Sequence, residues 1–188
     1  MTRTILPALM LALLVPAAAQ AGQVIKVPAF KTIEVHGGGQ AVLRHGNSQR
    51  VVLLKGDPKV AQIEVTGDGK LVLSPCKNFC WGSHDLEVEV TTPAIAGVSV
   101  HGGGEVDASG DFPTQPSLAL SVYGGGDADM RAIPAQTVSA SVHGGGEGKV
   151  RALQTLTAAV HGGGTLRYWG HPQVTAAEHG GGSIESGE

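Results

Sequence analysis

The sequence predicts an all-β protein built as a parallel β-helix, a solenoid of stacked parallel strands. Six Gly-Gly-Gly triplets hold 18 of the 29 glycines, at intervals of 65, 22, 20, 18 and 18 residues. The segments before the triplets alternate apolar and small polar residues, as in Val98-Ser99-Val100-His101 and Ala140-Ser141-Val142-His143, which is typical of half-buried strands. Repeats of about 20 residues cannot bury a core alone, so they are expected to stack on one another.

Each glycine triplet is expected at a bend between strands, because glycine adopts a positive φ without a Cβ clash. The middle glycines Gly103 and Gly145 are therefore expected to tolerate a valine far less well than Ser121, which is expected on an exposed strand face.

The 65-residue interval contains further strand-like runs, over residues 51–54, 62–65, 71–73 and 86–90. The stretch Thr66-Gly67-Asp68-Gly69-Lys70 is a hairpin-turn signal between two of these runs. The interval therefore predicts an antiparallel β insertion between the first and second coils. No Ser/Pro-rich linker separates it, so residues 22–188 are predicted to form a single domain.

The first 21 residues have the organisation of a secretory signal peptide. Arg3 precedes an apolar run, and Ala19 and Ala21 give the small-residue spacing of a cleavage site. Pro7 and Pro16 interrupt the run, whereas a membrane span needs about 20 apolar residues. We therefore expect cleavage after residue 21, no membrane span in the mature chain, and a periplasmic or secreted location.

The two cysteines of the chain, Cys76 and Cys80, are predicted to form a disulfide, because the compartment reached by export oxidises thiols. The same loop carries Phe79 and Trp81. These aromatic side chains are candidates for contact with a protein or glycan partner, as is Tyr123. Capping of an open end of the solenoid is an equal alternative for Phe79 and Trp81.

The residues that precede the triplets are expected to form a column on the surface. If the preceding valines face inward, these residues face outward; they are His36, His101, Tyr123, His143, His161 and His179. One interpretation is that neighbouring imidazoles share a transition metal such as Zn, Cu or Ni, with His143, His161 and His179 as the longest uninterrupted run. The other is that the rings only stack and cover the glycine bends.

Carboxylates at equivalent positions of the repeat predict a second column, which consists of Glu105, Asp127 and Glu147. Like charges on adjacent strands repel unless a cation lies between them, so a Ca²⁺ site and a solvated acidic face are the two interpretations. The clustered acids Asp107, Asp127 and Asp129 also allow a polysaccharide-cleaving enzyme. A lipase-type oxyanion loop is excluded, because the chain has no Gly-x-Ser-x-Gly elbow.

Three segments carry a resemblance to a known family: residues 30–35 (FKTIEV), 67–73 (GDGKLVL) and 86–93 (LEVEVTTP), followed by glycine-rich repeats. In this order they resemble the head GIN domain family of auto-transporter adhesins, over about residues 30–185. The resemblance implies a right-handed parallel β-helix and no established activity.

These observations predict an exported, non-enzymatic protein that presents a repetitive His/Gly surface for binding or adhesion at the cell envelope. The expected partner is a protein or glycan of the envelope or the extracellular space. Self-association into a homo-oligomer is a further alternative. A charged fraction of 15% and a net charge of −3 exclude a basic nucleic-acid binder. The alternatives are an envelope protein that binds Zn, Cu, Ni or Ca, and the polysaccharide-cleaving enzyme.

Overall fold

The computed structural model describes residues 22–77 and 85–187, which form fifteen β-strands and no helix. In chain order the strands are β1 (Gln23–Ile25), β2 (Thr32–Gly37), β3 (Gln40–His45), β4 (Arg50–Lys55), β5 (Gln62–Val65), β6 (Lys70–Ser74), β7 (Glu87–Thr92), β8 (Gly97–Gly102), β9 (Glu105–Ser109), β10 (Gln115–Gly124), β11 (Asp127–Gly144), β12 (Glu147–Gly162), β13 (Thr165–Trp169), β14 (Gln173–Gly180) and β15 (Ser183–Ser186).

The predicted right-handed parallel β-helix with an antiparallel insertion is wrong as the fold class. All fifteen strands belong to one mixed sheet, in which the antiparallel pairs β1–β4, β4–β7 and β5–β6 continue the same hydrogen-bonded path as the parallel strands. The segment expected as an antiparallel insertion also contributes parallel strands to this sheet, because β6 pairs in parallel with β2, and β7 with β3. The glycine repeat misled the prediction because it reports only on parallel neighbours, and the antiparallel strands carry no repeat.

Two runs of parallel strands dominate the sheet. The ring-side ladder contains β6, β2, β8, β10, the second half of β11, the second half of β12, and β14. The acid-side ladder contains β7, β3, β9, the first halves of β11 and β12, β13 and β15. Strands β11 and β12 pass from one ladder to the other, and their pairing shifts register between Asp129 and Pro134.

The core lies between the ladders and is aliphatic. One column of inward side chains on the ring-side ladder is fully buried; it consists of Val35, Val100, Val122, Val142 and Val160. Each such valine contributes roughly 1.5–3 kcal/mol on leaving water. Their burial means that the next residue of each strand faces outward, as the alternation in the sequence predicts.

Each glycine triplet connects the two ladders by close backbone contact. Gly144 has a φ of +123°, and both Gly145 N–H and Gly146 N–H donate to the carbonyl of Gly124, at 2.9 and 3.0 Å. A Cβ on Gly144 would collide with that carbonyl, and a Cβ on Gly146 would collide with the carbonyl of Gly126. The structural constraint therefore falls on the first and third glycines.

The expectation for the middle glycines is wrong. A Cβ on Gly103 or Gly145 would meet no atom within 4 Å, and neither residue has a positive φ. Both positions face open space beside the bend.

Strand β14 is a sheet edge with a charged residue at an inward position. It pairs only with β12 in the described part of the chain, and every one of its residues is exposed. Glu178 takes the register position that follows Val160, where the earlier strands carry valine. Its Oε1 accepts a hydrogen bond of 2.7 Å from Ile184 N–H. An inward charge at an open edge opposes pairing with another strand.

No helix in the two described segments is long and apolar enough to span a membrane. Residues 1–21 lie outside the described residues, so the signal peptide stays a prediction, as does the single-domain boundary at residue 22.

We predict that Gly144→Ala and Gly146→Ala each lower the free energy of unfolding by about 1–3 kcal/mol, because they introduce backbone strain and overpacking respectively. Gly145→Ala is the matched control, and we expect it to change stability by no more than about 0.5 kcal/mol. Urea unfolding followed by circular dichroism measures all three. Equal losses for the three variants would contradict the close-packed arrangement of the bend.

We also predict that Glu178→Val promotes self-association, because it extends the valine column to the sheet edge and removes the inward charge. Thr175→Val is the control: it adds the same side chain to the same strand at an outward position, next to Thr157. Size-exclusion chromatography with light scattering should show a mass that rises with concentration for Glu178→Val alone. The idea fails if both variants keep the wild-type mass.

Candidate functional site

The six residues that precede the glycine triplets stack into one continuous column, which we call the ring column. The backbone registers place each residue beside the next, and the ring centroids are 4.8–5.0 Å apart with interplanar angles of 3–15°. In order along the ladder they are His36, His101, Tyr123, His143, His161 and His179. The structure thus brings together all the ring residues that the sequence singles out.

The ring column stands out from its surroundings. Tyr123 is 42% exposed, and the side chains of His36 and His101 are 40% and 37% exposed. On one side the column is flanked by the open glycine bends, and on the other by a row of small outward residues such as Ser121 and Ser141. The rings therefore form a raised, flat strip between two low borders.

At the β2 end of the ring column a carboxylate contacts the first two rings. Glu34 accepts a hydrogen bond of 2.7 Å from His36 Nε2, lies 3.6 Å from His101 Nε2 and pairs with Lys70 at 2.7 Å. Burial opposes ionisation of Glu34, but the hydrogen bonds from Lys70 and His36 outweigh it and lower the pKa of this carboxyl. This charge cluster occurs at one end of the column only.

The stacked geometry does not match a shared metal ion. His143, His161 and His179 are stacked at 4.8 Å with interplanar angles of 3–4°, so equivalent nitrogens of neighbouring rings lie about as far apart. Two nitrogens on one Zn²⁺ can be separated by at most roughly 4.2 Å, since each bond is about 2.1 Å long. Among residues 22–77 and 85–187 no group of three or more His, Cys, Asp or Glu is arranged to hold a metal. A metal site would require the rings to rotate.

The acid column of Glu105, Asp127 and Glu147 also forms, because the three residues occupy paired positions on β9, β11 and β12. Its charges have partners within the protein. Gln40 Nε2 donates to Glu105 at 3.0 Å. Lys149 and Arg167 contact Glu147 at 2.8 and 3.5 Å, and Asp127 accepts the Glu147 backbone N–H at 3.1 Å. These contacts offset the repulsion that a Ca²⁺ ion would relieve in one of the two interpretations of this column.

Two further acids lie beside each other with opposite pKa shifts. Burial and the charges of Glu105 and Asp129 raise the pKa of Asp107. Burial also opposes ionisation of Asp129, but hydrogen bonds from Arg131 outweigh it and lower the pKa of Asp129. Arg131 Nε contacts both carboxylate oxygens of Asp129, at 2.9 and 3.0 Å.

Cys80, Phe79 and Trp81 lie outside the described residues, and Cys76 is close to the end of a described segment. The disulfide and the partner-contact role of this loop stay predictions.

The structure reveals a cleft that the sequence reasoning missed. A cavity of about 730 Å³, which we call the corner cleft, is lined by residues that include Asp129, Arg131, Arg151, Trp169 and His171. Trp169 is one of only two tryptophans, and that scarcity was the available signal. Arg131, Arg151 and Trp169 each lie five residues after the third glycine of a triplet, so an alignment on the triplets also groups these three residues.

Comparison with protein-family models shows which family the chain belongs to. A family model described as "Putative auto-transporter adhesin, head GIN domain" matches residues 29–117 and 114–172. The chain belongs to this head GIN domain family. The resemblance carried by residues 30–35, 67–73 and 86–93 is therefore confirmed.

One solved structure shows a related fold. A crystal structure of a "putative adhesin" from Bacteroides fragilis is 20% identical, with a TM-score of 0.53, covering 87% of this chain and 95% of that one. Two Parabacteroides distasonis proteins are a "putative adhesin" (17% identical, TM-score 0.39, 88% and 96% covered) and a "putative lipid binding protein" (16%, 0.36, 88% and 96%). At these identities the likeness to the Bacteroides fragilis protein concerns the fold alone. A search of curated proteins found no match.

We predict that Asp107→Asn stabilises the protein at pH 7. Because folding raises the pKa of Asp107, the folded state holds the proton more tightly than the unfolded state, so the ionised group destabilises the fold above the ordinary pKa of 3.8. The gain should be at most about 1 kcal/mol at pH 7, since the group is partly exposed, and it should vanish as the pH falls below 3.8.

Urea midpoints at pH 7 and pH 3.5 measure this effect. Asp111→Asn removes the same charge at an exposed loop position and serves as the control. An equal gain in both variants, or a gain for Asp107→Asn that persists at pH 3.5, would show that the burial and the neighbouring charges that raise this pKa are not the cause.

Proposed function

We propose that this head GIN domain protein is an exported, non-enzymatic, adhesin-like protein that binds a partner at the cell envelope or outside the cell. The family description and the Bacteroides fragilis relative, both named as adhesins, support the adhesin-like part of the proposal. The signal-peptide pattern of residues 1–21 supports export.

The observation that carries the proposal is the ring column. Five steps of 4.8–5.0 Å give a straight strip of six rings, with Tyr123 and His161 among its exposed members. Rigid rings bind with little loss of conformational entropy, and aromatic side chains are enriched where protein surfaces bind partners. Beyond Glu34 at the β2 end, the borders consist of glycine, serine and alanine, and these small residues let a flat partner approach the strip along most of its length.

Polysaccharide cleavage is a second candidate because Asp107 and Asp129 have divergent pKa values, as the acid and the nucleophile of glycosidases do. The contacts of Asp129 favour binding over cleavage. Both of its oxygens accept hydrogen bonds from Arg131, so neither is directed at a bond to be broken.

The test compares retention of the purified mature protein, residues 22–188, on envelopes isolated from the producing cells. A triple variant, His143→Ser/His161→Ser/His179→Ser, removes half of the ring column. We expect its retention to fall at least about tenfold, because the contact strip is interrupted. The control variant Ser139→Ala/Thr157→Ala/Thr175→Ala changes outward residues of the same three strands and should be retained like the wild type.

Circular dichroism and melting temperature verify that both variants are folded. Equal retention of the two folded variants would refute the role of the ring column. A rise of the wild-type urea midpoint on adding Zn²⁺, Cu²⁺ or Ni²⁺, absent in the histidine variant, would instead favour the metal-binding alternative.

A further inference from the structure

The corner cleft lies where β13 ends and where β11 and β12 leave the acid-side ladder, and none of its lining residues belongs to the ring column. Its wall combines Trp169 and Leu153 with the charged groups of Asp129, Arg131 and Arg151. A volume of about 730 Å³ lies within the range of small-molecule sites, which pair apolar walls with a few placed polar groups.

One side of the cleft is a fixed platform. The guanidinium carbon of Arg131 lies 4.6 Å from the ring centroid of Trp169, in a cation–π contact. Asp129 holds the same guanidinium through hydrogen bonds of 2.9 and 3.0 Å. The indole, the Arg131 fork and the carboxylate are therefore held in place before any ligand arrives.

Arg151 is the arginine of the cleft wall that forms no ion pair with a carboxylate of the described residues. It is exposed, it lies beside Trp169 in the β12–β13 register, and no ion pair is formed by it within residues 22–77 and 85–187. Other cations of this ladder are all engaged: Arg44 contacts Glu89, Lys149 contacts Glu147, and Arg167 contacts Glu185. An unpaired guanidinium beside an indole, facing a cavity, is a ready partner for a carboxylate.

We infer that the corner cleft binds an acidic sugar residue of a polysaccharide. The sugar carboxylate pairs with the Arg151 guanidinium, and ring hydroxyls donate to the outer lone pairs of Asp129. The apolar face of the pyranose ring packs on Leu153 beside Trp169, whose indole is already contacted by Arg131 and Gly187. An acidic peptide fits less well, because it brings carboxylates but no hydroxyl groups that could donate to Asp129.

This inference does not depend on the proposed role of the ring column, because the two surfaces share no residue. Soluble oligosaccharides and purified protein test it, whereas the ring column is tested by retention on envelopes. Either proposal can therefore fail alone.

The experiment uses Trp169 as its reporter. Trp81→Phe leaves Trp169 as the only tryptophan, and trigalacturonate is titrated into this variant while the indole fluorescence is followed. We expect a saturable change, weakened by added salt, and an affinity at least about tenfold lower when Arg151→Gln is added. Arg151→Lys should recover only part of that loss, because it keeps the charge but not the fork.

Lys149→Gln is the matched control: it removes the same charge two residues away, outside the cleft, and should alter the affinity by less than about twofold. Isothermal titration calorimetry on the unsubstituted chain checks that Trp81→Phe has not changed the site. Maltotriose, which lacks the carboxylates, should not bind. The inference is overturned by an absence of trigalacturonate binding, by equal losses in Arg151→Gln and Lys149→Gln, or by triglutamate binding as tightly as the sugar.

Discussion

The close contact of glycine backbones at each bend is the constraint on which the remaining surface features depend. The third glycine of a triplet packs against the carbonyl of the third glycine in the preceding repeat, as Gly146 does against Gly126, and any Cβ there would separate the two strands. This contact fixes the register at one point of every repeat. Fixed register at the bend means that residues a given number of positions away also come into line, on both ladders.

Stacking in register has opposite consequences for different side chains. Rings at equivalent positions pack face to face, so Tyr123 joins the column of histidines at 4.9 and 5.0 Å without disturbing it. Carboxylates at equivalent positions repel, and the acid column is short: beyond Glu147 the next two positions are Thr165 and Ser183. Lys149 and Arg167 then supply the compensating charge beside it. The same geometry thus explains a long uninterrupted column of rings and a brief, neutralised column of acids.

The features of the structure that could be predicted from the sequence are the ones that repeat. The inward valines, the ring column and the register of Glu105, Asp127 and Glu147 were predictable because each recurs at a fixed offset from a triplet. The predicted fold class was wrong because the repeat says nothing about the antiparallel pairings of β1, β4 and β5. These pairings are set by chain connections outside the repeat. The middle glycines were misjudged for another reason: composition shows where three glycines lie but not which of them carries the steric constraint.

The corner cleft shows what one repeat position can form when its residues differ. Arg131, Arg151 and Trp169 occupy the same position of three successive repeats, and the Arg131 guanidinium contacts the Trp169 ring two repeats away. A column of like residues repeats one chemistry, whereas a column of unlike residues places different chemistries side by side. Acceptors, donors and an apolar wall can converge only where the residues at one repeat position differ, so in a protein of this kind the selective contacts are expected at such positions and the extended, less selective contacts along the uniform columns.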